Sequence, residues 1–209
     1  MKKNKKQLTV VLFSLVALLV AGCAARGLET GQGAVKPGKP DRVASTPFPV
    51  FELTMPHLES EKRYLGLSGT GTFPIRKIKA RLLIIEVFSF YCPHCQVSAA
   101  QINELYEKIQ GRPDLKEKIK MIGIGVGNSL YEVNSFKERY QVPFPLFADQ
   151  GMEISEMLGV RGTPTFIGVK TDAEGTQRRV SFHYGGFEDT QQFLTEMIQA
   201  SGLEEEEKK

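Results

Sequence analysis

The hydrophobic and polar residues of this 209-residue chain change between strand-like and helix-like patterns. Residues 81–90 form a dense apolar run bounded by charge, which predicts a central strand buried on both faces. The following segment, 93–110, places Ile102, Leu105 and Ile109 on one stripe, which predicts a helix with one buried side. A buried strand that leads directly into a helix is typical of an α/β domain.

Further segments continue this alternation on both sides. Upstream, residues 50–55 predict a strand, and residues 63–67 and 73–75 predict a small hairpin with glycines at its turns. Downstream, the pattern predicts strands at 119–126, 144–147, 164–169 and 178–184, and helices at 130–141, 152–158 and 189–200. The closing pair of strands is antiparallel, so the predicted fold class is α/β with a mixed central sheet flanked by helices.

The first 22 residues have the pattern of a signal peptide. Lysines precede an apolar run at residues 8–20, which is short for a stable membrane span. The run ends in Val20-Ala21-Gly22-Cys23, which resembles the bacterial lipobox. This resemblance implies cleavage before Cys23, lipidation of its thiol, and a domain that faces the periplasm or the cell exterior on a lipid anchor. The alternative is an uncleaved N-terminal anchor helix.

Composition divides the rest of the chain. Residues 23–48 are rich in glycine, proline and charge and predict a flexible linker after the lipidated cysteine, residues 49–202 predict the folded domain, and residues 203–209 form a charged tail. The formal net charge of +3 depends on the signal peptide, because the remainder has 23 basic and 24 acidic residues. The sequence therefore predicts no nucleic-acid partner.

Cys92-Pro93-His94-Cys95 is the motif that carries candidate chemistry. A zinc ribbon needs a second ligand pair, which the sequence lacks, and a c-type haem site needs histidine at position 96, which is glutamine. A Cys-x-x-Cys at a helix start directly after a buried strand predicts redox function. If Cys23 is lipidated, these two cysteines remain as a pair in a compartment where disulfides persist.

The position of the pair predicts distinct roles for its members. The helix N-terminus favours an anion, so it lowers the pKa of the Cys92 thiol and activates it as a nucleophile. Pro93 suits the first turn, where its missing N–H has no intrahelical partner. His94 adds a donor or a positive charge beside Cys92. Cys95 lies one turn later and is expected to resolve mixed disulfides formed by Cys92.

Residues 85–95 resemble the active-site segment of the DsbA-type periplasmic disulfide oxidases, in which a Pro-His dipeptide accompanies an acidic nucleophile. Glu86 matches a buried acid found in the thioredoxin superfamily, which implies proton exchange with Cys95. Gly162-Thr163-Pro164-Thr165 resembles the superfamily's cis-proline loop, which implies that Thr163 and Pro164 bind substrate backbone. The alternatives are a Glu86 that reaches solvent and an ordinary trans proline.

The wider scaffold resembles a different branch of that superfamily. Residues 119–158 fit a strand–helix insertion between the Cys-x-x-Cys helix and the cis-proline strand, and together with residues 51–67 they resemble the membrane-tethered TlpA/ResA group with its redoxin-like scaffold. Thr163 before the proline is also similar to that group. The resemblance implies a thioredoxin fold. The Pro93-His94 dipeptide is similar to that of disulfide oxidases, whereas the scaffold is similar to that of disulfide reductases.

The sequence therefore predicts an extracytoplasmic thiol:disulfide oxidoreductase that exchanges disulfides with exported proteins. It predicts no metal and no cofactor beyond the Cys92–Cys95 disulfide, and a membrane redox partner that resets the dithiol. One alternative is a peroxiredoxin-like peroxidase, whose Thr-x-x-Cys pattern is half met because position 89 is serine. The other is a copper or haem-apoprotein chaperone, with His183 as a candidate third ligand.

Overall fold

The structure, a computed structural model, describes residues 46–203. Strands and helices alternate along this part of the chain, as the hydrophobic pattern predicts. In chain order the elements are β1 (Thr46–Pro47), β2 (Glu52–Thr54), α1 (Glu59–Leu65), β3 (Thr72–Pro74), a 3-10 turn (Ile75–Lys77), β4 (Leu82–Phe88), α2 (Pro93–Gln110), β5 (Ile119–Val126), α3 (Leu130–Tyr140), β6 (Leu146–Asp149), α4 (Glu153–Met157), β7 (Thr165–Thr171), β8 (Gln177–Tyr184) and α5 (Thr190–Ser201).

Strand β4 lies in the middle of a sheet with the order β1-β8-β7-β4-β5-β6, and every residue of β4 is buried. It runs parallel to β5 and antiparallel to β7, so the sheet is mixed, which confirms the predicted fold class. Ile84 and Phe88 face an apolar layer formed with α2 and α5, whereas Ile85 and Val87 face a second apolar layer. These two layers explain why β4 is an almost unbroken apolar run.

Helix α2 covers one face of the sheet with the stripe that the sequence predicts. Ile102, Leu105 and Ile109 are all buried in the first apolar layer. The crossover from β4 through α2 returns the chain to β5, which is parallel to β4. The N-terminus of α2 therefore lies at the carboxyl end of β4, which is the edge of the sheet where residues 92–95 are placed.

The segment predicted as an insertion, residues 119–158, contains β5, α3, β6 and α4. Ser129 and Glu132 form a capping box at the start of α3, because the Ser129 side chain accepts from the Glu132 N–H and the Glu132 carboxylate accepts from the Ser129 N–H. Strand β6 pairs in parallel with β5 at the edge of the sheet. It begins two residues later than predicted, because Pro145 has no N–H to donate to a strand ladder.

Residues 63–65 are the last residues of a helix and residues 66–67 follow its end, so the predicted hairpin strand at 63–67 is wrong. Helix α1 has Glu59 in its first turn, and Lys62 pairs with that carboxylate at 2.7 Å. It ends at Gly66, whose φ of 68° is a left-handed conformation that suits glycine. The glycine taken to mark a hairpin turn is thus a helix stop, and β3 pairs with β2 instead.

The folded part of the chain begins earlier than predicted. Thr46 lies opposite Arg179 in the pairing of β1 with β8, and Phe48 is buried, although the sequence assigned these positions to the linker. The predicted signal peptide, Cys23, most of the predicted linker and the end of the predicted charged tail lie outside the described residues. Between residues 46 and 203, no helix is long and apolar enough to cross a membrane.

Replacing Leu105 with alanine is expected to lower the free energy of unfolding by about 2–5 kcal/mol, because the side chain is fully buried and its removal leaves a cavity. Leu130→Ala is the matched control, since it removes the same atoms from a helical leucine that is 51% exposed. Its effect should stay within about 0.5 kcal/mol. Urea unfolding followed by circular dichroism measures both, and equal losses would contradict this assignment of the core.

Candidate active site

The two cysteines lie where β4 ends and α2 begins. Cys92 is the N-cap residue of α2, and its Sγ accepts a hydrogen bond from the backbone N–H of Cys95 at 3.3 Å. The Cys92 thiol donates to the backbone carbonyl oxygen of Thr163, also at 3.3 Å. Both cysteines are free thiols, with Cys92 half-buried and Cys95 fully buried one helical turn later. One sulfur is therefore accessible to a partner and the other is enclosed.

Two opposed effects set the pKa of Cys92. Partial burial raises the pKa of the thiol, but hydrogen bonds with the side chains of Thr163 and Cys95 and with the backbone N–H groups of Cys95 and His94 lower it by more. These N–H groups belong to the first turn of α2, where they have no intrahelical acceptor. The resulting pKa lies below the ordinary value for cysteine, so the nucleophilic thiolate is more populated at neutral pH.

The pKa of Cys95 is shifted in the opposite direction. Burial raises it well above the ordinary value for cysteine, and the hydrogen bond with Cys92 and the charge of Glu86 act in the same direction. Cys95 therefore keeps its proton under conditions in which Cys92 loses its own. This asymmetry suits a dithiol in which Cys92 attacks first and Cys95 attacks second.

Glu86 lies inside the domain, which excludes the alternative that its carboxylate reaches solvent. The residue is 2% exposed and sits on the face of β4 that packs against α2. Burial raises the pKa of its carboxyl group to about 8. Within residues 46–203, Oε1 has no hydrogen-bond partner. The charge of this carboxyl group also raises the pKa of Cys95.

The loop before β7 lies beside Cys92. The Thr163–Pro164 peptide bond is cis, which confirms the predicted conformation. The Pro164 carbonyl oxygen accepts a hydrogen bond from the N–H of Gly185 at 2.9 Å, so the loop is tied to the end of β8. Gly162 also packs against β8, because a Cβ atom there would lie 2.6 Å from the ring of Tyr184. Thr163 is thus held with its carbonyl group towards the Cys92 sulfur.

Pro93 and His94 are both exposed on the first turn of α2. The backbone N–H of His94, and not its imidazole ring, contributes a hydrogen bond to the Cys92 sulfur. The role assigned to the His94 side chain stays a prediction. The structure therefore brings together Cys92, Cys95, Glu86, Thr163 and Pro164, and it places His94 and Pro93 at the surface beside them.

Two residues in this region were missed by the sequence analysis. Asn128 is fully buried at the end of β5, and its Oδ1 accepts a hydrogen bond from the Phe90 N–H at 2.7 Å. Gln96 donates through Nε2 to the Phe90 carbonyl oxygen at 2.8 Å. A signal was available for Asn128, because polar residues at the carboxyl end of a strand beside the site strand often face the site in α/β sheets.

The alternative functions find partial or no support in the geometry. Ser89 occupies the position where the peroxidase pattern has threonine. Its Oγ lies 3.5 Å from the side-chain nitrogen of Asn128. His183 is buried, and its Nε2 lies 2.9 Å from the Gly186 carbonyl oxygen. Among the described residues, no group of three or more His, Cys, Asp or Glu side chains is arranged to hold a metal ion. His183 and the two cysteines therefore do not form a ligand set.

Comparison with known families gives a match over residues 45–184, about two thirds of the sequence. The chain belongs to the AhpC/TSA family. It is 26% identical over 178 residues to the thiol-disulfide oxidoreductase ResA of Bacillus thuringiensis subsp. konkukian, covering 85% of this chain and 88% of that protein. It is 23% identical to the protein of the same name from Halalkalibacterium halodurans, covering 60% of this chain and 65% of that protein.

Solved structures show the same fold. StoA from Bacillus subtilis superposes with a TM-score of 0.51 at 14% identity, covering 71% of this chain and 96% of that chain. A thiol:disulfide interchange protein of the thioredoxin family from Chlorobium tepidum superposes with a TM-score of 0.52 at 20% identity, covering 75% and 97%. The predictions of a thioredoxin fold, of a TlpA/ResA-like redoxin and of a thiol:disulfide oxidoreductase are thereby confirmed.

The buried carboxyl group predicts a pH-dependent stability. The pKa of Glu86 is about 8 in the folded state against an ordinary 4.5, so between these values the folded state binds a proton that the unfolded state lacks. The free energy of unfolding should therefore fall as the pH rises from about 4.5 to about 8. At about 1.4 kcal/mol per pH unit, this contribution amounts to several kcal/mol.

Glu86→Gln should lack this contribution and gain stability relative to the wild type as the pH rises. Urea unfolding at about pH 5 and about pH 8 measures the difference. Glu107→Gln is the control, because it makes the same change on the exposed face of α2. A pH dependence identical in all three proteins would contradict the assigned protonation of Glu86.

Proposed function

We propose that this protein is an extracytoplasmic thiol:disulfide oxidoreductase that exchanges disulfides with exported proteins. The observation that carries the proposal is the asymmetry of the dithiol. Cys92 is accessible and has a lowered pKa, while Cys95 is buried and has a raised pKa. Two thiols whose pKa values are shifted in opposite directions suit ordered attack on a partner's disulfide better than binding of a metal by two thiolates.

The reducing half-reaction proceeds in two attacks. The Cys92 thiolate attacks one sulfur of the partner's disulfide, forms a mixed disulfide and releases the partner's other sulfur as a thiolate, which takes up a proton. Cys95 then gives up its proton and attacks the Cys92 sulfur, which forms the intramolecular disulfide and releases the partner's first sulfur as a thiolate, which takes up a proton from solvent. Two electrons pass to the partner. The same steps in reverse oxidise a partner dithiol.

Glu86 and the Thr163–Pro164 loop are assigned supporting roles in these attacks. The Glu86 carboxyl group, with a pKa of about 8, exchanges protons near neutral pH and is proposed to receive the proton that Cys95 loses. The carbonyl oxygen of Thr163 lies 3.3 Å from the Cys92 sulfur. A polypeptide bonded to Cys92 must therefore pass this loop. We assign Thr163 and Pro164 to binding the backbone of that polypeptide.

Reaction with a thiol reagent tests the asymmetry. When the reduced full-length chain is treated with iodoacetamide, Cys92 is expected to react with a midpoint pH below that of an ordinary cysteine, because its thiolate is stabilised. Cys95 should stay unmodified while the protein is folded, because it is buried. Mass spectrometry of the digested protein assigns each modification. Equal reactivity of the two thiols would contradict the proposed division of roles.

The Cys95→Ala variant should accumulate mixed disulfides with exported proteins in the native host, because the resolving thiol is absent. Cys92→Ser is the matched control and should accumulate none. A redox titration of the Cys92–Cys95 pair gives the direction of electron flow. A reduction potential of about −120 mV would indicate an oxidant, and one of about −270 mV a reductant. A Cys92–Cys95 pair that never cycles in such buffers would refute the oxidoreductase proposal.

Membership of the AhpC/TSA family makes a peroxidase the second candidate. Peroxide would oxidise Cys92 to a sulfenic acid, which Cys95 would convert to the disulfide with release of water. Ser89 is where the peroxidase pattern has threonine, and its hydroxyl oxygen contacts the amide of Asn128. The rates at which reduced protein reacts with hydrogen peroxide and with a protein disulfide separate the two functions, and we expect the disulfide to react faster.

The proposed location rests on Cys23 and the residues before it. Cys23→Ser is expected to abolish incorporation of labelled fatty acid and to release the protein from the membrane fraction of the host. Cys92→Ser should keep both the label and the fractionation, because it changes a thiol within the domain. Equal labelling of the wild type and Cys23→Ser would contradict the lipid anchor while leaving the chemistry of the dithiol untouched.

A further inference from the structure

Asn128 is a polar side chain enclosed in the domain next to the candidate active site. It follows β5, the strand parallel to β4, and none of its surface is exposed. Its own backbone is fixed, because its N–H donates to the Gly125 carbonyl oxygen at 3.1 Å. A Cβ atom on Gly125 would approach the Asn128 side chain to 3.2 Å, so the amide lies tightly against the strand. A buried amide of this kind requires partners for its polar atoms.

Those partners belong to the segment that links β4 to the nucleophile. Oδ1 accepts a hydrogen bond from the Phe90 N–H at 2.7 Å, and Nδ2 makes a longer contact of 3.5 Å with the Ser89 hydroxyl oxygen. These contacts join positions that are 38 and 39 residues apart in sequence. Asn128 therefore fixes a loop that is distant from it in the sequence.

The same loop fixes Cys92. The Cys92 N–H donates to the Ser89 carbonyl oxygen at 3.0 Å, which sets the approach of the chain to the N-cap. Gln96 in turn donates through Nε2 to the Phe90 carbonyl oxygen at 2.8 Å. The N–H and the carbonyl group of Phe90 are thus both held by side chains, and a shift of this loop would move the Cys92 sulfur relative to the N–H groups of α2 and the Thr163 carbonyl group.

We propose that Asn128 is a positioning residue that acts through Ser89 and Phe90 to hold the Cys92 sulfur at the N-terminus of α2. The inference rests on the proposed function only in taking Cys92 as the nucleophile. The side chain must be an amide, because it accepts from one partner and donates to the other. An aspartate would keep the acceptor for Phe90, lose the donor to Ser89 and add a negative charge near a sulfur that works as an anion.

The test compares Asn128→Ala and Asn128→Asp with Asn103→Ala in the full-length chain. Asn103 makes a similar bond from its side-chain nitrogen to the Tyr140 carbonyl oxygen at 2.9 Å, but it lies about three helical turns beyond Cys92. The rate of reaction of the reduced protein with 5,5′-dithiobis(2-nitrobenzoate) is measured against pH, and urea unfolding gives the stability of each variant.

Both Asn128 variants are expected to raise the midpoint pH of the Cys92 reaction and to slow it at neutral pH by about tenfold, the rate equivalent of one lost hydrogen bond. Asn103→Ala should lose stability without moving the midpoint. If Asn128→Ala fails to fold, the isosteric Asn128→Asp carries the test. Asn128 variants that lose stability but keep the wild-type midpoint and rate would overturn the positioning role.

The wild type separates this result from failure of the proposed function. A wild-type protein whose Cys92 neither reacts nor forms a disulfide with Cys95 would refute the proposed function itself. A wild type that cycles normally, beside Asn128 variants that cycle equally well, would refute only the role of Asn128.

Discussion

The burial of β4 on both faces is the constraint on which the rest of the structure depends. Apolar layers on either side leave no route to water for a side chain in the middle of this strand. Glu86 lies there, and its raised pKa is a direct consequence of that burial. The strand also fixes where the chain must leave the sheet, and thus where α2 begins. The protonation of the buried acid and the placement of the nucleophile have one physical origin.

Two sulfurs one helical turn apart are made chemically different by their surroundings alone. Cys92 lies at the end of the helix, where free N–H groups stabilise a thiolate. Cys95 lies inside the apolar layer, where burial and the nearby carboxyl group disfavour one. The helix places the first residue at a polar boundary and the second in the core, so the proposed order of attack follows from the path of the backbone.

Much of this site was predictable because its signals are local in sequence. The apolar run of β4, the Cys-x-x-Cys spacing and the stripe on α2 each lie within one element. Asn128 and Gln96 were missed because they bind the backbone of Phe90, so no side-chain partner in the sequence identifies them, and the position of Asn128 after β5 was its one available signal. Helix α1 was mistaken for a strand because seven residues carry little periodicity and its glycine stop resembles a turn.

Pro93 and His94 are exposed, and neither belongs to the two apolar layers. Exchange of either side chain should therefore leave the packing of the core unchanged. In evolutionary terms, the dipeptide and the scaffold are separable, because these two surface positions can vary while selection on folding acts on the buried sheet.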